Sequence, residues 1–341
     1  MPIKSDVNVD SFGRCCIKST WSVVNKQHSV LGIHGGLFYL CIMKAFFLLF
    51  SVIFISGCNL LGIKPKPAVD SFNSNFDSSP KITYLKGYQP NQASGMADSY
   101  QFPKHVWVEE NGNTSDAFYL YDYEGIQQGT IKTPFKNYDW EDMAIGFGPE
   151  DGQKYIYMAD IGDNFGNRKE YQIYRFKEPT FKNGTLKDYD TISFVYPDAK
   201  NKDSEAIIID PKTKDIYIFT KELSRTQVYK LAYPQAFGNN VSTAELVKNL
   251  PFFILTSAGI SVNADEIVLK NYGVIYYWYV KTGETFMSTL SRQPDKYLPY
   301  TAEPQGEAFC FANDSKSYFS MSEAGNAGVT PPMRQYFRSA L

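Results

Sequence analysis

A five-residue pattern recurs along the chain from Ser94 onward, and it limits the fold more than any other feature. Each copy begins with a small or acidic residue and continues with apolar ones, as in Glu141-Asp142-Met143-Ala144-Ile145. The second residues of the five copies are Gly95, Asp142, Ala206, Gly259 and Ala308. The intervals between them are 47, 64, 53 and 49 residues. A repeat of roughly 40–50 residues is typical of β-propeller blades, each a small sheet of about four strands.

The segments between the copies favour strands. Each copy is followed by a second run of strand-forming residues, such as Tyr155-Ile156-Tyr157-Met158, and most by a third, such as Gln172-Ile173-Tyr174-Arg175-Phe176. Aromatic residues make up 16% of the chain, which also favours strands. We therefore predict an all-β propeller of five four-stranded blades. A sixth, degenerate blade within the 64-residue interval or near residues 285–300 stays open as an alternative.

The ends of the repeat region indicate how the ring closes. We expect the strand Ile82-Thr83-Tyr84-Leu85 to pair with the last one, Arg334-Gln335-Tyr336-Phe337, because a propeller must hide its edges. The rival fold is a pair of β-sandwiches. It is less favoured because two sandwiches would not share one repeat phase.

The stretch from Met43 to Cys58 has the anatomy of a secretory signal. One positive charge, Lys44, precedes an apolar run of about a dozen residues, which is short for a membrane span of ~20. The ending Ile55-Ser56-Gly57-Cys58 resembles the bacterial lipobox, and the resemblance implies cleavage before Cys58 and lipid attachment to that residue. We interpret residues 1–42 as a non-native upstream extension and residues 43–57 as the signal peptide. An uncleaved anchor over residues 37–61 is the alternative.

The residues after the signal predict a tether and a folded body. Residues 58–80 begin with the lipidated Cys58 and are rich in Pro, Ser and Asn, so we interpret them as a flexible tether. Residues 81–341 would form the propeller. Asn59 resembles the residue preferred for sorting to the outer membrane, so we expect the domain in the periplasm or at the cell surface.

Composition excludes several classes of function. With 34 Lys+Arg against 36 Asp+Glu, the chain has no basic field for nucleic acid. If His28 and His34 lie upstream of the working domain, only His105 remains, which excludes zinc sites built on several histidines. Cys310 lies in an apolar strand and is interpreted as a core residue, without a disulfide framework.

Acidic residues recur at the positions where a propeller brings its blades together. First strands line the central channel, so the repeat places Glu141, Asp142, Glu205 and Glu307 at or beside its mouth. Gathered carboxylates repel one another unless a cation neutralises them, and Ca²⁺ prefers six to eight oxygen ligands. The candidate calcium ligands are Glu141, Asp142, Asp160, Asp163, Asn164, Glu205 and Glu307.

Other residues are candidates for contact with a ligand. They are Trp140, Glu110, Glu222 and Glu323. The alternative interpretation is that the acidic residues at strand ends cap turns and bond neighbouring backbone amides, and that Trp140 packs between blades.

Three motifs resemble a known family. They are Asp139-Trp140-Glu141-Asp142-Met143-Ala144, Asp160-Ile161-Gly162-Asp163-Asn164 and Ile173-Tyr174-Arg175-Phe176-Lys177-Glu178-Pro179. They are similar to a family of largely uncharacterised bacterial secreted β-propeller proteins. More distantly they resemble phytase-esterase-like and gluconolactonase-type propellers, some of which bind a divalent metal in the channel. The chain departs from these relatives at Gly259, where they have an acidic residue, and at Glu109-Glu110, where they have a pair more like Asn-Asp.

Three functional hypotheses follow. The first is a membrane-anchored cell-envelope lipoprotein that binds a ligand or protein partner at an acidic channel mouth. The second is a calcium-dependent hydrolase of an ester, lactone or phosphate, with Glu141 or Glu205 as base. The third is a scaffold with an empty channel that uses its outer faces for protein contacts. We favour binding over catalysis because the chain lacks a candidate nucleophile.

Overall fold

The computed structural model describes residues 76–339 apart from residue 113, residues 198–199 and residues 326–329. It also describes β1 (Asn8–Val9) and β2 (Cys15–Cys16), which pair antiparallel. The chain divides into two compact units, Met1–Asp70 and Ser71–Leu341. The predicted signal peptide, Cys58 and tether residues 58–75 lie outside the described residues. Among the residues described, no helix is long and apolar enough to cross a membrane.

The second unit folds into five small sheets, which confirms the predicted all-β propeller of five blades. Its first strand, β3 (Lys81–Thr83), belongs to the last blade. Blade 1 contains β4 (Ala93–Asp98), β5 (His105–Glu110), β6 (Ala117–Asp122) and β7 (Gln127–Lys132). The next stretch supplies β8 (Trp140–Phe147), β9 (Lys154–Asp160), β10 (Tyr171–Lys177), β11 (Asn183–Thr185) and β12 (Asp190–Val195). Blade 2 is built from these strands, except for β11.

The remaining three blades follow in chain order. Blade 3 contains β13 (Ser204–Ile209), β14 (Ile216–Thr220), β15 (Thr226–Leu231) and, after β16 (Val241–Thr243), β17 (Glu245–Leu250). Blade 4 contains β18 (Leu255–Ile260), β19 (Glu266–Asn271), β20 (Ile275–Tyr279) and β21 (Lys296–Leu298), with a short helix, Phe286–Leu290, before β21. Blade 5 contains β22 (Gln305–Phe311), β23 (Ser317–Glu323), β24 (Met333–Phe337) and β3.

The predicted closure of the ring is confirmed. Strand β3 pairs antiparallel with β24, and Ile82 lies opposite Arg334. The packed region also includes a residue ahead of β3. Phe76 is buried, forms an isolated bridge with Arg338, and its ring lies 4.8 Å from that of Tyr318.

The alternative of a sixth blade is wrong for the part of the chain that the structure describes. The 64-residue interval contains β11, which leaves blade 2 and pairs parallel with β7 at the edge of blade 1. In the same way β16 pairs parallel with β12 at the edge of blade 2. Two blades therefore have five strands instead of the four expected. Residues 285–300 contribute only the helix and β21 to blade 4.

The apolar core is divided among the interfaces between blades. One cluster of buried side chains lies between each pair of neighbouring blades, and blades 5 and 1 share a cluster like the others. Trp140 packs between blades 1 and 2, and Cys310 between blades 5 and 1. Full burial of a large apolar side chain contributes about 1.5–3 kcal/mol, so the ring is held by these shared layers.

The first strands of the blades, β4, β8, β13, β18 and β22, surround the channel, and each contacts its counterparts in the two neighbouring blades. Each pairs with its second strand through a register shift of the kind a β-bulge produces. The shift falls at Glu141, Glu205, Thr256 and Glu307, and at Ser94-Gly95 in blade 1. The bulge therefore marks one equivalent position in every blade.

Blade 4 corrects the predicted alignment. The sequence pattern aligned Ala258-Gly259 with Glu141-Asp142, but the bulge in β18 lies at Thr256, two residues earlier. Side chains in a strand alternate with a period of two, so a shift of two residues leaves the apolar pattern unchanged. Gly259 is therefore not at the acidic position, and the residue that is, Thr256, is not acidic either, so the departure from the resembling family moves to Thr256.

Candidate functional site

The bulge residues form a ring at one mouth of the channel. They are Ser94, Glu141, Glu205, Thr256 and Glu307. The Ser94 hydroxyl lies 3.4 Å from Oε2 of Glu141 and 3.2 Å from Oε2 of Glu307, so carboxylates from blades 2 and 5 meet over blade 1. The next channel-lining positions are apolar, and with their neighbours they enclose a cavity of about 70 Å³; they are Met96, Met143, Ile207, Ala258 and Phe309. The polar ring is therefore bordered, on its inner side in the channel, by a layer of apolar side chains.

One lysine reaches into this ring. The Nζ of Lys221, which directly follows β14, lies 2.8 Å from Oε1 of Glu205 and 3.5 Å from Oε1 of Glu307. The ring of Tyr272 lies 5.5 Å from the same ammonium, and the Tyr272 hydroxyl donates to Glu307 at 2.7 Å. Burial lowers the pKa of Lys221, but Glu205 and Glu307 outweigh it, so this pKa lies well above its usual range. The side chain is a fixed positive charge.

Two carboxylates in the ring have a buried oxygen without a hydrogen-bond partner among the described residues. The oxygens are Oε1 of Glu141 and Oε2 of Glu205, and the two residues are 0% and 1% exposed. Together with Asp203, each residue offers one oxygen within 4.8 Å of the others. Burial raises the pKa of Glu141 most, and the negative charges of Glu205 and Glu307 raise it further. Burial also raises the pKa of Glu205, although the positive charge of Lys221 lowers it. A cation bound by these three residues would offset the negative charge of their carboxylates.

Two further carboxylates extend the acidic region outward. Burial and then Asp203 raise the pKa of Asp139 to about 6, and burial and then Glu307 raise that of Glu323 to about 9. We call the whole set the acidic mouth. It consists of Asp139, Glu141, Asp203, Glu205, Glu307 and Glu323 with the cation Lys221.

A glycine allows the acidic mouth to approach the backbone of blade 2. A Cβ at Gly162 would lie 2.3 Å from Oε1 of Glu141 and 2.5 Å from Oδ2 of Asp139. Asp139 and Gly162 also line an open cleft of about 480 Å³ that extends to Phe165 and Arg168. Gly162 therefore separates the buried ring from a cleft that is open to solvent.

Several predicted calcium ligands make contacts within or between blades instead of joining the ring. Both oxygens of Asp142 accept main-chain amides at 2.8 Å, from Met143 and from Ile207 of the next blade. Asp160 forms an ion pair with Arg168 at 2.5 Å. Asp163 accepts the Tyr171 hydroxyl at 2.9 Å. Asn164 is exposed on the same loop.

Three of the four residues predicted to contact a ligand also make their contacts outside the acidic mouth. Trp140 is fully buried, and its ring lies 5.7 Å from that of Phe135. Glu110 accepts the Tyr88 hydroxyl at 2.6 Å and the Asn91 amide at 2.8 Å. Glu222 is half-buried, and its main-chain carbonyl accepts the amide of Ile254 at 2.8 Å. Of the four candidates, Glu323 belongs to the acidic mouth.

The remaining histidine lies away from the acidic mouth. His105 begins β5, whose other end, Glu110, pairs with the start of β4. Its Nδ1 lies 2.9 Å from the carbonyl oxygen of Pro103. The imidazole of His105 therefore lies at the end of β5 that is away from the acidic mouth.

Sequence reasoning missed part of the acidic mouth. Asp139 and Asp203 were not selected, although the spacing Asp-x-Glu recurs in Asp139-Trp140-Glu141 and Asp203-Ser204-Glu205. Neither Lys221 nor Tyr272 carries a local sequence signal that would place it at the channel mouth. Asn111, which follows β5, donates to Oε2 of Glu141 at 3.0 Å.

Comparisons with known proteins do not assign the chain to a family. No protein-family model matches the chain, and no curated protein matches it. Among solved structures, hydrazine synthase of Kuenenia stuttgartiensis is 11% identical with a TM-score of 0.39, covering 73% of this chain and 72% of that one. A luciferin-regenerating enzyme is 10% identical with a TM-score of 0.44, covering 77% and 96%. A candidate 6-phosphogluconolactonase of Bacteroides uniformis is 12% identical with a TM-score of 0.36, covering 75% and 75%.

Proposed function

We propose that this chain is a cell-envelope lipoprotein whose propeller binds a cationic ligand at the acidic mouth, with Ca²⁺ suited to the deepest position. One observation carries the proposal. Glu141 and Glu205 are buried, and each has an oxygen without a hydrogen-bond partner among the described residues; together with Asp203, each of these residues offers one oxygen within 4.8 Å of the others. Buried charges of one sign are costly unless a cation compensates them.

The chemistry of the donors suits a hard cation. Carboxylate oxygens are preferred ligands of Ca²⁺, and Glu141, Asp203 and Glu205 would hold the ion. Ser94 and Asn111 contact Oε2 of Glu141 and orient its carboxylate, which leaves Oε1 for the cation. Lys221 compensates only part of the negative charge at the mouth.

Attachment to the membrane through Cys58 is part of the proposal. It is supported by the lipobox-like sequence and by the tether that follows it. The packed region includes Phe76, so residues 58–75 would connect the lipid to the propeller. Fully extended, these residues span roughly 60 Å. Asn59 supports the outer membrane as the location. Mass spectrometry of membrane-extracted protein tests the anchor: a lipidated N-terminal Cys58 is expected, whereas an unmodified N-terminus upstream of Met43 would contradict it.

Calcium titration tests the binding site. We expect Ca²⁺ to raise the melting temperature of the wild-type propeller, because a ligand that binds the native state stabilises it by mass action. The double variant Glu141→Gln/Glu205→Gln should lose this response. The matched control Glu124→Gln/Glu150→Gln removes two carboxylates whose side chains are 70% and 57% exposed, and it should respond like the wild type. A wild-type protein unaffected by calcium, magnesium or manganese would contradict the proposal.

A calcium-dependent hydrolase of an ester, lactone or phosphate is the second candidate. It is supported by the raised pKa of Glu141, since a carboxylate of this kind beside an open cleft suits general acid–base catalysis. Bound Ca²⁺ would act as a Lewis acid. Hydrolysis of an ester, lactone or phosphate ester that a chelator and Glu141→Gln both abolish would favour this candidate over binding alone.

A further inference from the structure

Exposed apolar side chains surround the acidic mouth. On the loops at this end of the channel, Tyr138 is 60% exposed, Phe165 86%, Leu223 83% and Phe253 42%. We call these four residues the apolar collar. Exposed apolar groups beside a polar site are typical of a surface that binds another molecule.

The collar consists of two pairs, and each is connected to the acidic mouth. Tyr138 and Phe165 line the cleft that contains Asp139 and Gly162. Leu223 and Phe253 are on loops joined by a main-chain hydrogen bond, in which the amide of Ile254 donates to the carbonyl of Glu222 at 2.8 Å. Leu223 also follows Lys221, the residue that enters the ring, by two positions. Both pairs therefore flank residues that belong to the acidic mouth or line the cleft beside it.

The acidic mouth already binds one alkylammonium group, which belongs to the chain itself. The Nζ of Lys221 is held by Glu205 and Glu307 beside the ring of Tyr272. Carboxylates and an aromatic face are a favourable environment for an ammonium or guanidinium group. The six carboxylates of the acidic mouth outnumber this one cation. The cleft beside Gly162 is lined by the acidic residues Asp139, Asp163 and Glu170, and of its two basic residues, Arg168 and Lys169, the first is already paired with Asp160 at 2.5 Å. The cleft is thus complementary to a second cationic side chain.

We propose that the acidic mouth and the apolar collar bind a polypeptide, which inserts a lysine or arginine into the cleft and lays flanking apolar side chains on the collar. The inference rests on the proposed binding of a cation at the same mouth, and it specifies the partner. A bare metal ion or a polyamine would use the carboxylates but not the collar. A charged group inserted between apolar contacts is a common centre of a protein interface.

The test uses a blocked pentapeptide with a central lysine flanked by phenylalanine and leucine, and the same peptide with acetyl-lysine. Binding to the whole propeller is measured by isothermal titration calorimetry. We expect the acetylated peptide to bind at least tenfold more weakly. Phe165→Ser/Leu223→Ser should weaken binding of the lysine peptide at least fivefold. The control Phe237→Ser/Leu246→Ser, which removes exposed apolar groups elsewhere, should leave it unchanged.

The charge is tested separately with Glu141→Gln/Glu205→Gln, which should weaken binding of the lysine peptide at least tenfold. Equal binding of the two peptides, or no binding of either at millimolar concentration, would overturn this inference. A calcium response that persists in that case would leave the proposed cation site intact. If the peptide binds and calcium does not, the polypeptide inference stands and the calcium assignment is wrong.

Discussion

The main-chain amide of Asn313 donates to the carboxylate of Asp98 at 2.6 Å, although the two residues are 215 positions apart. The side-chain amide of Asn313 also donates to the main-chain carbonyl of Asp98 at 2.9 Å. These bonds connect blade 1 to blade 5 at the end of the channel opposite the acidic mouth. They add polar contacts between these two blades to the ring closure that β3 and β24 make by pairing.

The carboxyl group of Asp98 makes the free energy of unfolding depend on pH. Burial raises the pKa of Asp98 from 3.8 to about 7, even though the bonds from Asn313 and Tyr123 favour the ionised form. The native state therefore holds a proton that the unfolded chain releases between about pH 4 and pH 7, and stability falls as pH rises through that window. Asp98→Asn should make this slope shallower by removing the Asp98 contribution, which amounts to at most about 4 kcal/mol, while other buried carboxyl groups with raised pKa values, such as Asp139, keep part of it.

Urea unfolding between pH 4 and pH 8 measures the effect. The control is Asp151→Asn, since the Asp151 side chain is fully exposed and its removal should keep the wild-type slope. A slope in Asp98→Asn as steep as that of the wild type would show that this carboxyl is not the group responsible.

Replacement of Glu141 by Gln should stabilise the propeller when no divalent cation is present. The change removes a buried carboxylate that burial, Glu205 and Glu307 all disfavour in its charged form. At pH 8 with a chelator we expect a gain of about 1–3 kcal/mol in the free energy of unfolding, and excess calcium should reverse the order of the two proteins. Glu150→Gln, at an exposed position, should change neither value. A loss of stability in both conditions would contradict the account.

Replacement of Lys221 by Met should destabilise the propeller. The change leaves Glu205 and Glu307 without their shared cation, and loss of one partner from a buried ion pair costs about 3–5 kcal/mol. Calcium should recover part of the loss, because an added cation replaces the ammonium. Lys177→Met is the control: its ion pair with Glu150 is exposed on both sides, and such pairs contribute about 0–1 kcal/mol. Denaturant midpoints that agree for the two variants would exclude the proposed role of Lys221.

Replacement of Gly162 by Ala should weaken cation binding without a change in charge. The new methyl group would lie 2.3 Å from Oε1 of Glu141 and 2.5 Å from Oδ2 of Asp139, so both carboxylates must move. We expect the calcium affinity to fall at least tenfold, measured by calorimetry. Gly273→Ala is the matched control, because a Cβ there would have its nearest neighbour at 3.7 Å. If the two variants bind calcium with equal affinity, Gly162 is not part of the cation site.

The fold was largely predictable because the repeat is periodic and each blade is a local sheet. The pairing of β3 with β24 followed from the need to close the ring. The edge strands β11 and β16 were not predictable, since each is three residues long and is held by a parallel pairing with a neighbouring blade's outer strand. The alignment of blade 4 failed because Thr256 at the bulge is not acidic.

The candidate site was only partly predictable. The repeat identified Glu141, Glu205 and Glu307, because one position per blade faces the axis. It also selected Asp142, but in β8 this residue directly follows the bulge and turns its carboxylate to the amides of Met143 and Ile207. Lys221 could not be assigned, since nothing in the loop sequence shows that its long side chain reaches the ring.

We propose that carboxylates from different blades hold a cation at the channel mouth. Anomalous diffraction from crystals soaked in a lanthanide that replaces calcium would locate such a cation. We expect a peak coordinated by Glu141, Asp203 and Glu205. A structure in which these three carboxylates point away from one another, or in which the lanthanide binds only elsewhere, would contradict it.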